Sequence, residues 1–159
     1  MAQHRHNKEK AAEQPELAVF RPDKEGLEQA LGTLEAQVME AVWDAGKPVA
    51  VEDVRAMLEA RGKESAYTTI MTTMSRLYDK GLLERQLEGR AYHYTAALSR
   101  SELGSNLTRR VIDALLNSFA EPAMAYFVEA LSDEDPDRLD TLAEMINQRR
   151  KRSQERGKS

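Results

Sequence analysis

The spacing of apolar residues predicts three helices in the first half of the chain. In three segments apolar residues recur every three or four positions, which is the period of a helix with one buried face. A glycine follows each segment, and glycine commonly ends a helix because it adopts the left-handed backbone conformation without steric cost. Ser65 stands before the third segment and is expected to cap its helix by accepting a hydrogen bond from a first-turn N–H. The predicted helices span residues 27–45 (beginning at Leu27 or Thr33), 52–61 and 66–80.

The period then changes to that of an extended chain. The segments LLERQL and RAYHY flank Glu88 and Gly89, which predicts a β-hairpin with these two residues near its tip. The earlier segment KPVAV is typical of a brief strand or an extended lead into the second helix. The order helix, short strand, helix, helix, hairpin is that of a winged helix-turn-helix domain, which we assign to residues 27–98. Residues 1–26 are polar and are interpreted as a flexible N-terminal tail.

A second helical region is predicted after the hairpin. Apolar residues keep helical spacing there, and Pro122 allows a break within the first long helix. The predicted fold class is therefore mainly α: a winged helix-turn-helix domain with a small β-hairpin wing, then an all-α region at residues 99–147 and a basic tail at residues 148–159. Two capping boxes, each a serine with an acidic residue three positions later, are expected at Ser99 with Glu102 and at Ser132 with Asp135.

The third helix has an unusual outward side. At about 100° per residue, Tyr67, Met74, Leu77 and Tyr78 cluster around Ile70 and are expected to face the core. The opposite side carries small hydroxylated residues and one arginine, with few of the Glu and Lys pairs that solvate an exposed helix. We call Thr68, Thr69, Thr72, Ser75 and Arg76 the threonine face.

This arrangement suits the major groove of DNA. Threonine contacts a thymine methyl or a phosphate, and arginine reaches guanine or the backbone. The alternative interpretation is an ordinary exposed helix whose threonines have no role. The succession of helices and wing places this helix in the recognition position and favours the first interpretation. The candidate DNA-binding residues are Ser65, Thr68, Thr69, Thr72, Ser75, Arg76, Lys80, Arg85 and Arg90.

Four segments together resemble the penicillinase-repressor family of BlaI/MecI type: LGTLEAQVMEAVWDAG, AYTTIMTTMSRLYDKGLLER, GRAYHYTAALSRSEL and AYFVEALSDEDPDRLDTLAEMI. The resemblance covers residues 31–146 in consistent order. It implies a homodimeric winged-helix repressor that binds a palindromic operator in double-stranded DNA and is released by an inducing event. By this resemblance the helices after Ser99 hold the dimer. The expected dimerisation residues are Leu103, Leu107, Val111, Leu115, Phe119, Phe127, Leu131, Leu139, Leu142 and Ile146.

The chain departs from the family pattern in two respects that concern induction. Antibiotic-responsive members are cleaved by a partner protease at an Asn-Phe bond, and the corresponding position here is Arg110–Val111. The sequence therefore argues against cleavage at that bond. Copper-responsive relatives use a C-terminal cysteine cluster, and this chain has no cysteine, which excludes that mechanism. The inducing partner or ligand is not specified by the sequence.

Composition narrows the remaining possibilities. The chain of 159 residues has a net charge of −4, so a DNA-binding surface in it must be a local patch. No apolar run is long enough for a membrane span or a secretory signal, and a cytoplasmic location is expected. No nucleophile–base set, phosphate loop or metal-ligand cluster occurs, so we expect neither enzyme activity nor a cofactor. If Met1 is removed, Ala-Gln-His ending at His4 has the donors for Cu(II) or Ni(II), although a plain polar tail is the preferred interpretation.

Two functions of another class compete with the repressor hypothesis. A protein-interaction module with a winged fold would need exposed aromatic or aliphatic anchors on the third helix, and the sequence assigns none to the threonine face. A one-component sensor would bind a small ligand between the dimerisation helices and the winged domain, and the sequence neither requires nor excludes this pocket.

Overall fold

The computed structural model describes residue 21 and residues 23–157, so the predicted N-terminal tail lies mostly, and His4 entirely, outside the described residues. The fold is mainly helical with one two-stranded antiparallel sheet, as the sequence predicted. Residues group into two compact units, the first ending at Arg109 and the second beginning at Arg110. The elements are a short 3-10 helix at Gly26–Gln29, α1 at Thr33–Ala45, α2 at Val51–Ala60, α3 at Tyr67–Asp79, β1 at Leu83–Glu88, β2 at Ala91–Ala96, α4 at Arg100–Glu134 and α5 at Pro136–Arg156.

The core of the first unit lies between α1, α2, α3 and the hairpin. Each helix turns one apolar stripe inward, and aliphatic side chains dominate the buried set. Gly46 ends α1 with a φ of +62°, a left-handed conformation that costs glycine little. The fully buried side chains with the largest volumes are Leu31, Met39, Leu58, Ile70, Met74, Leu77, Leu82, Leu83, Leu103, Val38, Val49 and Val54.

The hairpin has the predicted position. Leu83 pairs with Ala96 at its base, and Glu88 pairs with Ala91 beside the turn, so Gly89 and Arg90 form the tip. The KPVAV segment contributes a single bridge, in which the backbone groups of Val49 and Tyr94 exchange hydrogen bonds of 3.0 and 2.8 Å. This bridge attaches the wing to the loop between α1 and α2.

The start of α4 belongs to the winged core. The predicted Ser99–Glu102 capping box is present: the Ser99 N–H donates to Glu102 Oε2 at 2.8 Å, and the Glu102 N–H donates to Ser99 Oγ at 3.2 Å. The hydrogen bond from the Ser99 side chain, with that from its backbone, lowers the pKa of Glu102. The indole N–H of Trp43 also donates to the Leu98 carbonyl at 2.8 Å. The Trp43 bond ties the residue before the cap of α4 to α1, and Arg100 in the first turn of α4 pairs with Glu40 and Asp44 of α1.

The assignment of Leu103 to dimerisation needs correction. Leu103 is buried in the core of the first unit, and Leu107 packs against that core. The first turn of α4 therefore buries Leu103 within the chain, whereas Leu107 is half-buried and its predicted role in dimerisation remains a prediction.

The break and the second capping box also differ from prediction. The backbone leaves helical geometry at Phe119, with φ −144° and ψ 43°, three residues before Pro122. Proline clashes with the carbonyl four residues earlier, so distortion on its N-terminal side is expected. Ser132 begins no helix: it lies inside α4 and its hydroxyl donates to the Val128 carbonyl at 2.8 Å. Asp135 is instead the cap of α5, accepting from the Asp137 N–H at 3.1 Å.

The basic segment after residue 147 continues the last helix. The described part of that segment, up to Arg156, is the C-terminal end of α5.

Leu103→Ala should destabilise the first unit by about 2–5 kcal/mol, because it leaves a cavity in a packed core. Leu87→Ala is the matched control, since Leu87 is 59% exposed on β1, and it should change stability by less than about 0.5 kcal/mol. Urea unfolding at one fixed protein concentration measures both. Equal losses for the two variants would contradict the placement of Leu103.

Candidate nucleic-acid interface

Helix α3 divides into a narrow buried strip and a broad exposed side. Ile70, Met74 and Leu77 are fully buried, and Thr73 beside them is only 7% exposed. The hydroxyl of Thr73 donates to the Thr69 carbonyl at 2.9 Å, which satisfies a polar group that would otherwise be costly to bury. Thr73 is thus part of the core side of the helix.

The threonine face is exposed in the structure except for Ser75, which is half-buried. The Thr72 hydroxyl donates to the Thr68 carbonyl at 2.8 Å, so its outward contacts are limited to its methyl group and oxygen lone pairs. A shallow surface depression brings together Thr68, Thr69, Thr72, Thr73 and Arg76. Helix α3 thus presents a surface of short side chains that a groove-shaped partner can approach closely.

The start of α3 differs from the sequence prediction. Ala66, not Ser65, occupies the cap position, and no side chain accepts a hydrogen bond from the first turn among the described residues. Ser65 stands one residue too early for that role. The Thr69 N–H donates to the Ala66 carbonyl at 3.0 Å, so the N–H groups of Tyr67 and Thr68 are the ones of the first turn that keep their capacity to donate to an outside acceptor, and a helix N-terminus favours an anion there.

Two larger side chains join the exposed side. Tyr67 was expected in the core but is 47% exposed, and Met71, one helical turn after it, is 41% exposed. The buried strip is turned toward Thr73 relative to the sequence prediction, so Tyr67 and Met71 lie outside it. The threonine face itself carries no apolar or aromatic anchor, as expected, but the helix exposes Tyr67 and Met71 beside it.

Lys80 was predicted as a phosphate contact but has a structural partner. Its ammonium lies 2.7 and 3.0 Å from the two carboxylate oxygens of Glu35, and both side chains are mostly buried. Glu35 also accepts from the Gly32 N–H at the start of α1, at 3.2 Å. This ion pair joins the end of α3 to the start of α1. It occupies the Lys80 ammonium, which is therefore not available to a phosphate.

Arg85 is held between two aromatic rings. Its guanidinium carbon lies 4.1 Å from the centre of the Tyr78 ring and 4.4 Å from that of Tyr92. Tyr78 belongs to α3 and Tyr92 to β2, so the cation joins α3 to the hairpin. Such stacking uses the faces of the guanidinium and stabilises the pair by about 1 kcal/mol or more. The main role of Arg85 is therefore structural: it holds the hairpin against α3.

Arg76 and Arg90 retain free charges. Both side chains are exposed, and within the described residues neither forms an ion pair. Arg76 projects from the last turn of α3, and Arg90 lies at the tip of the hairpin. Of the four cations predicted to contact DNA, these two are the ones that the structure leaves available.

Metal-binding clusters and membrane-spanning helices are both absent from the part of the chain that the structure describes. Residue 21 and residues 23–157 contain no group of three or more His, Asp or Glu side chains placed to hold a metal ion. Among the helices of those residues, none is both long and apolar enough to cross a membrane.

Comparison with known proteins assigns the chain to a protein family. The sequence model described as "Penicillinase repressor" matches residues 31–148, which is most of the chain. The chain belongs to the penicillinase repressor family. The match includes the whole of α1 to α4 and more than half of α5, so both units carry family features.

Individual members show how similar the chain is. It is 35% identical over 113 residues to the transcriptional regulator BlaI of Mycobacterium tuberculosis, in strains CDC 1551 / Oshkosh and ATCC 25618 / H37Rv, covering 69% of this chain and 79% of that protein. It is 34% identical over 83 residues to an uncharacterised 16.5 kDa protein of Latilactobacillus sakei, covering 52% of this chain and 56% of that one. The solution structure of monomeric Bacillus licheniformis BlaI with the blaP half-operator overlaps 45% of this chain and 85% of that one, at 28% identity and a TM-score of 0.38.

Arg85→Lys should lower the free energy of unfolding of this penicillinase repressor family protein by about 1 kcal/mol, because lysine keeps the charge but loses planar stacking on both rings. Arg90→Lys at the hairpin tip is the control and should have almost no effect. Thermal unfolding gives the comparison. A destabilisation at position 85 no larger than at position 90 would show that the stacking does not stabilise the wing.

Proposed function

We propose that this chain is a homodimeric, sequence-specific DNA-binding repressor that acts in the cytoplasm. Helix α3 would lie in the major groove with the hairpin beside it as the wing. The observation that carries the proposal is the exposed threonine face, with an unpaired Arg76, on the helix that occupies the recognition position. The membership of the penicillinase repressor family supports it independently.

Each part of α3 has a chemical partner on DNA. The methyl groups of Thr68 and Thr72, and the exposed Met71, match the thymine methyl groups of the major groove. Arg76 has the reach and the donors for guanine or for a nearby phosphate. The uncapped first-turn N–H groups suit a phosphate oxygen, which would set the helix's position along the groove.

The second unit supplies the surface for a dimer. The predicted dimerisation residues from Val111 onward all lie in this unit, and several are exposed: Phe119 is 63% exposed. Large apolar side chains outside that predicted set are exposed there as well, with Tyr126 at 69%. An exposed apolar surface of this extent needs a partner, and a second copy offers the same surface. The exposed large apolar residues of this unit are Ile112, Leu115, Leu116, Phe119, Met124, Tyr126, Phe127, Val128, Met145 and Ile146.

Two-fold symmetry would then determine the form of the target. A symmetric dimer presents two α3 helices in opposite orientations, so its operator would be palindromic. Half-sites about 34 Å apart, one helical turn of DNA, place both helices in successive major grooves on one side of the duplex.

Arg76→Ala should weaken binding to a duplex that the full chain has selected from a random library, by about 1–3 kcal/mol, if Arg76 contacts a base or a close phosphate. Arg61→Ala is the matched control, since the Arg61 guanidinium is already paired with Asp44 at 2.9 Å. Gel-shift titration at one salt concentration measures both. Equal affinity for the Arg76 variant and the unmodified chain would refute the role of Arg76.

The exposure of Tyr67 and Met71 favours one alternative, a winged-helix module that binds protein. That function predicts that the full chain enriches no sequence from the random library. Enrichment of a symmetric sequence would decide for the repressor.

A fragment ending at Arg109 should be folded and monomeric, whereas the full chain should be dimeric. The cut is placed there because truncation before Ser99 would remove Leu103 from the core. Sedimentation equilibrium gives the association state, and circular dichroism checks the fold. A folded fragment that still dimerised would place the interface in the first unit.

A further inference from the structure

The C-terminal end of α5 carries a dense group of positive charges that has no role in the proposed function. Between residue 149 and residue 156 there are five cations and one anion, Glu155, all on helical residues with exposed side chains. The family match ends at residue 148, so this charge lies outside the part shared with the family. We call Arg149, Arg150, Lys151, Arg152 and Arg156 the basic helix end.

On the side of α5 that carries its apolar residues, the basic helix end replaces them by charged ones. Leu139, Leu142 and Ile146 recur at helical spacing, and the next positions on that side are Arg149, Arg150 and Ser153. Ile146, Arg149, Arg150, Ser153 and Gln154 line one shallow, open depression. Burying these arginines against an apolar surface would require desolvating their charge, so the apolar contact of α5 should stop at Ile146.

The winged domain, by contrast, has few free cations. From Leu31 to Leu98 there are eight Lys and Arg residues against ten Asp and Glu residues. Four of the eight are engaged within the domain. Arg55 pairs with Glu52 and Glu59, Arg61 pairs with Asp44, Lys80 pairs with Glu35, and Arg85 stacks between two tyrosines.

With these cations engaged, the domain has few free positive charges to neutralise DNA phosphates. Binding to duplex DNA draws much of its affinity from cations that neutralise phosphates and release counterions. Only Lys47, Lys63, Arg76 and Arg90 of this domain have neither an ion pair nor an aromatic stacking partner within the described residues, and the domain is acidic in sum. A second source of positive charge is therefore needed for strong binding.

We propose that the basic helix end binds the phosphate backbone of double-stranded DNA without reading its sequence. This inference rests on the proposed function and adds a second DNA contact to it. The five cations lie within about 11 Å along the helix axis, at 1.5 Å per residue. Duplex DNA carries one charge per ~1.7 Å of axis, so several phosphates lie within reach of such a stretch. In a dimer the contact is doubled.

The test replaces Arg149, Arg150, Lys151 and Arg152 together by glutamine, which preserves helix propensity and removes four charges. The matched control replaces Arg149, Arg150 and Arg152 by lysine, which keeps every charge. Full-length proteins are titrated against the selected duplex and against a scrambled duplex of the same length, at several salt concentrations. Sedimentation of each protein measures its dimer dissociation constant.

The glutamine variant should bind both duplexes more weakly by the same factor, on the order of tenfold at low salt, with their affinity ratio unchanged. The slope of log affinity against log salt should fall by about 0.9 for each phosphate that the variant no longer neutralises, and the lysine control should keep the original slope. Unchanged affinity and slope in the glutamine variant would overturn the inference. A weaker dimer with an unchanged slope would also overturn it, and would assign these cations to the second copy.

Failure of the inference and failure of the proposed function give different results. If the unmodified chain selects and binds its duplex but the glutamine variant binds equally well, only the second contact is wrong. If the unmodified chain shows no preference for any duplex, the proposed function itself fails.

Discussion

The burial of one strip of α3 is the constraint on which the rest of the first unit depends. Ile70, Met74 and Leu77 are fully enclosed by α1, α2 and the hairpin, which fixes the rotation of the helix about its axis. With that rotation fixed, the short hydroxylated side chains must face outward. Thr73 completes the strip by satisfying its hydroxyl within the helix, at the Thr69 carbonyl. The propensity cost of several β-branched residues in one helix is then offset by tertiary packing, and the outward surface remains shallow enough for a groove.

Two polar contacts hold the ends of this arrangement. The Lys80–Glu35 pair fixes the C-terminal end of α3 to the N-terminal end of α1. Arg85, stacked between Tyr78 and Tyr92, fixes the hairpin to α3. Both use cations that would otherwise be available for phosphate. The domain thus gains a defined geometry while it gives up free positive charge, and the basic helix end is the densest run of exposed cations in the part of the chain that the structure describes.

The spacing of apolar residues was sufficient to predict the order of elements, the hairpin and the division of α3 into two sides. It was insufficient wherever a residue's role depends on a partner distant in sequence. Lys80 could not be recognised as structural without its neighbour Glu35, 45 residues away. Leu103 follows the same predicted stripe as Leu115, and only the docking of α4 on the first unit separates the buried residue from the exposed one. Ser65 and Ser132 fit capping patterns, but helix starts shift by a residue or more with tertiary context, and in both cases the actual cap lies elsewhere.

The central claim is that the outward side of α3 contacts DNA. It is tested most directly by methyl chemical-shift mapping of the full chain during titration with its selected duplex. The largest changes should occur at the methyl groups of Thr68, Thr72 and Met71, while those of the buried Ile70 and Leu77 change little. Changes concentrated elsewhere, with the threonine methyl signals unmoved at saturating DNA, would contradict the account.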